Sequence, residues 1–140
     1  MLKKETTIDI SVLVRAIEQS SSSIVITDIA GNIGFVNPAF SAMTGYGMGE
    51  VLGLNPRILQ SGQTPKKMYQ DLWETVSGGN VWRGELYNKK KSGELYWESV
   101  IINPVQNGDR EITHYIAVKE DITARKKAEK TLVYLANHDG

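Results

Sequence analysis

The order of elements predicts an α+β domain: a five-stranded antiparallel sheet with helices on one face and a further helix at each end of the chain. Three observations lead there. Five runs rich in β-branched and aromatic residues are separated by turns containing Gly, Asn and Ser. Two runs come early and three come late, and the segment between them carries helical periodicity. The chain's 140 residues suffice for one domain with its own core. The expected division is an N-terminal amphipathic helix at 1–19, the sheet domain at 20–122, and a helix at 123–140 that leaves it.

In residues 8–19, Ile10, Leu13, Val14 and Ile17 follow the i, i+3, i+4, i+7 spacing of a helical stripe, which the serines at 20–23 end. IVITD (24–28), the turn IAGN and IGFV (33–36) read as a β-hairpin with glycine at the reversal. Asn37-Pro38 opens a short helix, Asn as cap and Pro at the first position, where its missing N–H costs nothing. Short helical turns are expected near 48–51 and 56–59. The longest middle helix follows in TPKKMYQDLWETVSGGN, with Thr64 as cap, Pro65 first, and an apolar face of Met68, Leu72, Trp73 and Val76. Strands then fall in VWRGELYNKK, ELYWESVIINPV and EITHYIAVKED, separated by KSG and NGD. From Thr123 the chain turns helical again, with Ile122, Ala128, Leu132 and Leu135 as its stripe.

Alternation along the strands sorts the side chains. Trp82, Gly84, Leu86 and Asn88 share one face of the third strand, Tyr96, Glu98, Val100 and Ile102 one face of the fourth, and Tyr115, Ala117 and Lys119 one face of the fifth. The opposite face carries Trp97, Ile101, Ile116 and Val118, too apolar for a face left in water. The terminal helices or a second copy of the chain are expected to cover it.

Composition excludes several chemistries. The chain has no cysteine, hence no disulfide, thiolate nucleophile or Cys-type zinc site. Net charge is +0, without the basic excess of a nucleic-acid binder. No apolar run is long enough to span a membrane, and MLKKETTIDIS lacks the apolar stretch of a signal peptide. A soluble cytoplasmic domain is expected. No nucleophile–base pair, metal-ligand spacing or phosphate loop points to catalysis, so the chain is not expected to be an enzyme.

TDIAGNIGFVNPAFSAMTGYGMGEVLG, NPRILQSG, the tryptophan helix, WRGELYNKKKSGELYWE and IAVKEDIT occur in that order over residues 20–123. Together they resemble a PAS domain, a sensory and dimerisation module. The resemblance implies strand order 2-1-5-4-3 and a cleft between sheet and helices. At the other end, YLANHDG resembles the opening of a GGDEF diguanylate cyclase domain, which implies a sensor cut from a longer signalling protein. Histidine kinases and phosphodiesterases also follow PAS domains, so the output domain stays open.

LGLNPRILQ is similar to the flavin-contacting loop of LOV photoreceptors, a PAS subfamily with the pattern GxNCRFLQ. The likeness assigns Asn55, Arg57 and Gln60 to the ribityl chain and phosphate of a flavin, roles that suit two amides and a planar donor fork. Pro56 stands where the photoreactive cysteine belongs, which excludes a cysteinyl–flavin adduct. Asn88 matches a position facing the flavin ring edge. Glu98 and Lys119 depart from that pattern, standing where LOV domains carry Asn and Gln. They lie on neighbouring strands and the same inward face, so they are expected to pair or to share a polar ligand or water. ILQSGQTPKKMYQDLWETVSGGNVWRGELYNKKK also resembles FAD-binding, redox-sensing PAS domains of nitrogen-fixation and methane-oxidation regulators. FAD or FMN, another small molecule, and no fixed cofactor all remain open.

Trp73 and Trp82 are candidates to line the cleft against a flavin; core packing competes, and is favoured for Trp73, while Trp82 is kept among the cleft residues. Haem is disfavoured, because the long helix carries no histidine and His114 and His138 fall on surface positions. Asp121-Ile122-Thr123 matches the junction that ends PAS domains, where Asp121 or Thr123 caps the exit helix and relays change in the cleft. The expected function is a sensory module that responds to a small ligand or redox state and passes the change through terminal helices, as a homodimer, to an output domain. The alternative is a dimerisation module with no cofactor.

Overall fold

The computed structural model describes residues 8–138. Along the chain run α1 (Ile10–Glu18), β1 (Ser23–Asp28), β2 (Ile33–Val36), α2 (Pro38–Thr44), α3 (Met48–Val51), a 3-10 turn (Pro56–Leu59), α4 (Lys66–Ser77), β3 (Trp82–Lys89), β4 (Leu95–Gln106), β5 (Ile112–Asp121) and α5 (Thr123–Asn137). The sheet is five-stranded in the order β2-β1-β5-β4-β3, and every pairing is antiparallel. The first and last strands of the domain therefore meet at its centre.

Asn37 binds the early elements together. Its Oδ1 accepts from the backbone N–H of Ile24 (2.8 Å) and, as the α2 cap, of Phe40 (3.1 Å). Its Nδ2 donates to the carbonyls of Ile17 (3.0 Å) at the end of α1 and Ser22 (2.9 Å). Gly45 then ends α2 in the left-handed conformation, φ 83°.

The inner face of the sheet carries two apolar clusters. One holds Val25, Val36, Phe40 and Val51 under α2 and α3. The other holds Leu72 and Val76 of α4 against Leu86, Val100 and Tyr115. Ala117, at the middle of the sheet, touches both. A methyl group at that position is too small to bring the two clusters together, and the cavity described below lies between them.

Two details of the expected helices change. The cap of α4 is Pro65 and its first residue Lys66. The Thr64 hydroxyl instead donates to the carbonyl of Tyr87 (3.2 Å) and accepts from its N–H (3.3 Å), tying the loop to β3. At the start of α5 the cap position is Ile122, whose side chain has no capping group; the Asp121 carboxylate, one residue earlier, accepts from Thr123 N–H (2.9 Å). The Thr123 hydroxyl, however, accepts from Trp97 N–H (3.0 Å), while Ile122 N–H donates to Trp97 carbonyl (2.9 Å). The junction thus prolongs the β4–β5 ladder instead of capping freely.

On the outer face, Trp97, Ile101, Ile116 and Val118 are half-buried. The first turn of α5 reaches the β3–β4 end of this face. Lys126 and Arg125 each bond Glu85 at 2.5 Å, and Lys126 Nζ sits 4.8 Å from the Trp97 ring centroid. Beyond that turn Leu132, Val133 and Leu135 are exposed, as are Ile10, Leu13 and Val14 of α1. Among the described residues, no helix is long and apolar enough to cross a membrane.

Candidate ligand-binding cleft

The loop before α4 forms the rim of the cavity. Asn55 Oδ1 accepts from Arg57 N–H (3.0 Å) and so caps the 3-10 turn, with Pro56 at its first position. Leu59 is buried and Ile58 packs on the first apolar cluster, which pins the turn from below. Past the turn, the backbone of Gln60 pairs with Asn88 as an isolated β-bridge, and Ser61 Oγ donates to Tyr87 carbonyl at 2.6 Å. Held at both ends, the turn places Asn55, Pro56, Arg57 and Gln60 on the cavity wall. Arg57 is exposed and makes no ion pair with any described residue.

The cavity opens to solvent, and the space out to its mouth, solvent included, is about 730 Å³. Most of its lining is apolar and comes from both core clusters, with Ala117 between them. Gly31, in the β1–β2 turn, forms part of the mouth. Its φ is +88°, and a Cβ there would stand 3.0 Å from Asn55 Nδ2 and 3.1 Å from Trp73 Cη2. Glycine thus serves both the turn and the opening.

The polar floor is a buried network. Glu98 is 0% exposed, and Lys119 Nζ lies 3.2 Å from its Oε1 with the lysine side chain 7% exposed. Asn88 Nδ2 donates to the same oxygen (2.6 Å), and Tyr96 Oη donates to Oε2 (3.3 Å). Burial first, and then the neighbouring Glu98 carboxylate, push the Tyr96 hydroxyl far above the ordinary phenol value, so it stays a neutral donor. The carboxylate also orients Asn88: with Nδ2 turned to Glu98, Oδ1 must point away. That oxygen is buried without a partner, and Asn88 lines the cavity. Lys119 also reaches the wall, whereas Glu98 lies behind the two.

The structure thus brings Asn55, Arg57, Gln60, Asn88 and Lys119 to one cavity and sets the expected Glu98–Lys119 pair beneath it. The two tryptophans exchange roles. Trp82 is buried in the second cluster, donates from Nε1 to Asp71 Oδ2 (3.1 Å), and is not among the cavity-lining residues. Its indole lies over Gly84, where a Cβ would stand 2.6 Å from Cζ2. The Trp-x-Gly opening of β3 is a packing unit. Trp73 is 40% exposed at the cavity mouth, edge-on to Tyr115 with ring centroids 5.8 Å apart. Helical periodicity marks the face Trp73 occupies but not whether that face meets core or void. Gly31, Tyr69 and Tyr115 also belong to the wall; strand alternation had put Tyr115 on the inward face with Lys119, while no sequence pattern marked Gly31 or Tyr69 as wall residues.

The fold and its inner cavity define a PAS domain. A family profile described as PAS domain matches residues 21–124, and the chain belongs to that family. Among curated proteins, it is 41% identical over 116 residues to a nitrogen fixation regulatory protein of Klebsiella oxytoca, covering 83% of this chain and 23% of that protein. It is 34% identical over 89 residues to a blue-light-activated histidine kinase of Brucella abortus, covering 64% and 18%. The chain thus spans about a quarter or less of these relatives. Among solved structures, an RNA-binding light-oxygen-voltage receptor superposes with TM-score 0.83 at 30% identity, covering 92% of this chain and 37% of the receptor. The LOV domain of an Erythrobacter litoralis blue-light activated histidine kinase gives 0.70 at 26% identity, covering 75% and 99%. The chain is a sensory module of the kind found in signalling proteins.

Proposed function

We propose that this PAS domain binds a flavin, FAD or FMN, in the cavity beneath residues 52–63, and that the state of the ligand is relayed through residues 121–123 into α5. The observation that carries this is that Asn88, whose buried Oδ1 has no partner, and Lys119 both line a mostly apolar cavity. A flavin ring edge carries an imide N–H flanked by carbonyls. Asn88 Oδ1 suits the N–H. Lys119 has one contact, with Glu98, and keeps donors for a carbonyl. Arg57 and Gln60 at the rim suit phosphate and hydroxyl groups, and Trp73 offers an aromatic wall. The flavin would supply redox chemistry; the residues named here bind and orient it. Pro56 and the absence of cysteine speak for redox sensing over adduct photochemistry.

The relay is supported by continuity of backbone. Lys119 lies two residues before Asp121, which pairs with Glu98, and Ile122 and Thr123 hold the Trp97 backbone. A ligand shifts this junction only by binding two arrangements with different affinity. Exposed apolar residues on α1 and α5 support assembly with a second copy. The output domain rests on YLANHDG alone, whose last two residues lie outside the described ones; a diguanylate cyclase is the output that motif suggests.

An absorption spectrum of the purified protein tests the reading. The near-ultraviolet and blue bands of oxidised flavin are expected, as isolated or after reconstitution. Their absence with excess FAD and FMN rejects it and leaves a dimerisation module without cofactor. A monomeric mass by light scattering at all concentrations rejects the dimer.

A further inference from the structure

Three side-chain polar atoms among the described residues are buried with no hydrogen-bond partner: Ser23 Oγ, Tyr69 Oη and Asn88 Oδ1. Two of the three belong to residues of the same cavity wall. Asn88 is fixed there by Glu98. Tyr69 stands on α4, and its ring packs against the cluster containing Leu72 and Val76. A phenylalanine would make the same ring contacts, so packing explains the ring but not the hydroxyl. A buried hydroxyl without a partner is destabilising. Native structures satisfy nearly all such groups, so each exception asks for a cause.

We infer that Tyr69 is a second polar anchor for the cavity's ligand, donating from α4 to an acceptor on the ligand side turned away from Asn88. The inference rests on the flavin reading above and extends it to the helix. Tyr69 and Trp73 are four residues apart and so lie on one face of α4, and both line the cavity. The ligand therefore meets a hydroxyl and an indole from the helix, and an amide oxygen and an ammonium group from the sheet. This sets the ligand class: an aromatic heterocycle with a hydrogen-bond donor on one side and an acceptor on another. A flavin meets this demand; a fatty acid or simple carboxylate does not. Occupancy also adds polar contacts from α4 to β3 and β5, beyond the Trp82–Asp71 hydrogen bond that already ties α4 to β3.

The test is Tyr69→Phe in the full chain, with FMN and FAD as probes followed by quenching of tryptophan fluorescence. Affinity for the flavin that binds wild type is expected to fall roughly two- to tenfold, the effect of one neutral hydrogen bond. The melting temperature of the flavin-free variant is expected to stay level or rise, because an unpartnered hydroxyl has been removed. These opposite signs separate a ligand contact from a structural one. If the flavin-free variant melts lower, the hydroxyl holds the fold and the inference is overturned. If wild type binds flavin and the variant binds it equally well, Tyr69 alone is overturned. If wild type binds neither probe, the flavin reading fails and this inference falls with it.

Discussion

Replacing Lys119 with Met would leave the Glu98 carboxylate fully buried beside two hydrogen-bond donors and no cation. At 3.2 Å the pair attracts by about 5 kcal/mol with an effective dielectric of about 20. Desolvation of both ions offsets much of that, so the intact pair contributes little net stability. Breaking it from one side is different: an uncompensated buried charge costs about 3–5 kcal/mol. That is a large share of the roughly 5–15 kcal/mol that stabilises an ordinary domain. Glu98→Gln strands the ammonium instead, but Lys119 reaches the cavity wall, where water can meet it. Its cost should be smaller, about 1–3 kcal/mol. The double variant Glu98→Gln, Lys119→Met keeps an acceptor for Asn88 Nδ2, lets the Tyr96 hydroxyl turn to accept from the new amide N–H, and carries no buried charge. It should recover about 2–3 kcal/mol relative to the sum of the single variants. Urea denaturation at neutral pH reads all three, provided the slopes agree. Single losses that add to within about 0.5 kcal/mol would refute the coupling and with it the view of this pair as one buried unit.

Three further outcomes follow from other contacts. Gly84→Ala places a methyl group against the rigid Trp82 indole and should lower stability by about 1–3 kcal/mol, with an altered near-ultraviolet circular dichroism of the tryptophan; an unchanged melting temperature contradicts the packing unit. Asn37→Ala removes four hydrogen bonds at once and should cost about 2–4 kcal/mol and loosen the end of α1, seen as faster amide hydrogen exchange at residues 17–22; unchanged exchange there counts against the hub. Lys126 chiefly, by hydrogen bond and then by charge, and Arg125 with it, hold the Glu85 carboxyl below its usual value of 4.5. The contribution of Glu85 is therefore complete above that value and lost as pH falls through the lowered one. Exposure of 37% limits it to under about 1 kcal/mol. Glu85→Gln should lower the amide protection factors in the first turn of α5 at pH 7 and remove their fall at an acid pH below the lowered Glu85 value; wild-type protection factors that are equal at pH 7 and at that acid pH rule out a role for Glu85 in holding the turn.

Much of the domain was legible because short-range rules decide it. Asn37-Pro38 announces α2 through cap chemistry and the fixed φ of proline, and the structure adds only that the same amide also holds α1. Strand alternation put Glu98 and Lys119 on one face of neighbouring strands, and two opposite charges buried on that face had to meet. The resemblance of residues 52–63 to a cofactor loop anticipated a rim that turned out to line a cavity. Thr64 was misplaced by one residue because its hydroxyl had two uses, and the nearness of Tyr87 chose between them. Trp73 and Trp82 were misassigned because the size and periodicity of an aromatic residue mark an inward face without saying what occupies the other side.

By itself the sequence determined the element order, the inward-facing residues of each strand and the absence of thiol chemistry, since these depend on contacts within a few residues or on composition. Only the tertiary structure decided where the cavity lies. That depends on Ala117 being too small to join two core clusters, on Gly31 clearing the mouth between Asn55 and Trp73, and on Gly84 receiving the Trp82 ring. It also decided that Tyr69 and Asn88, residues of one cavity wall, each bury an unmatched polar atom. Each of these is a meeting of residues distant in the chain, and whether a polar atom is satisfied depends on which distant groups the packing brings within reach.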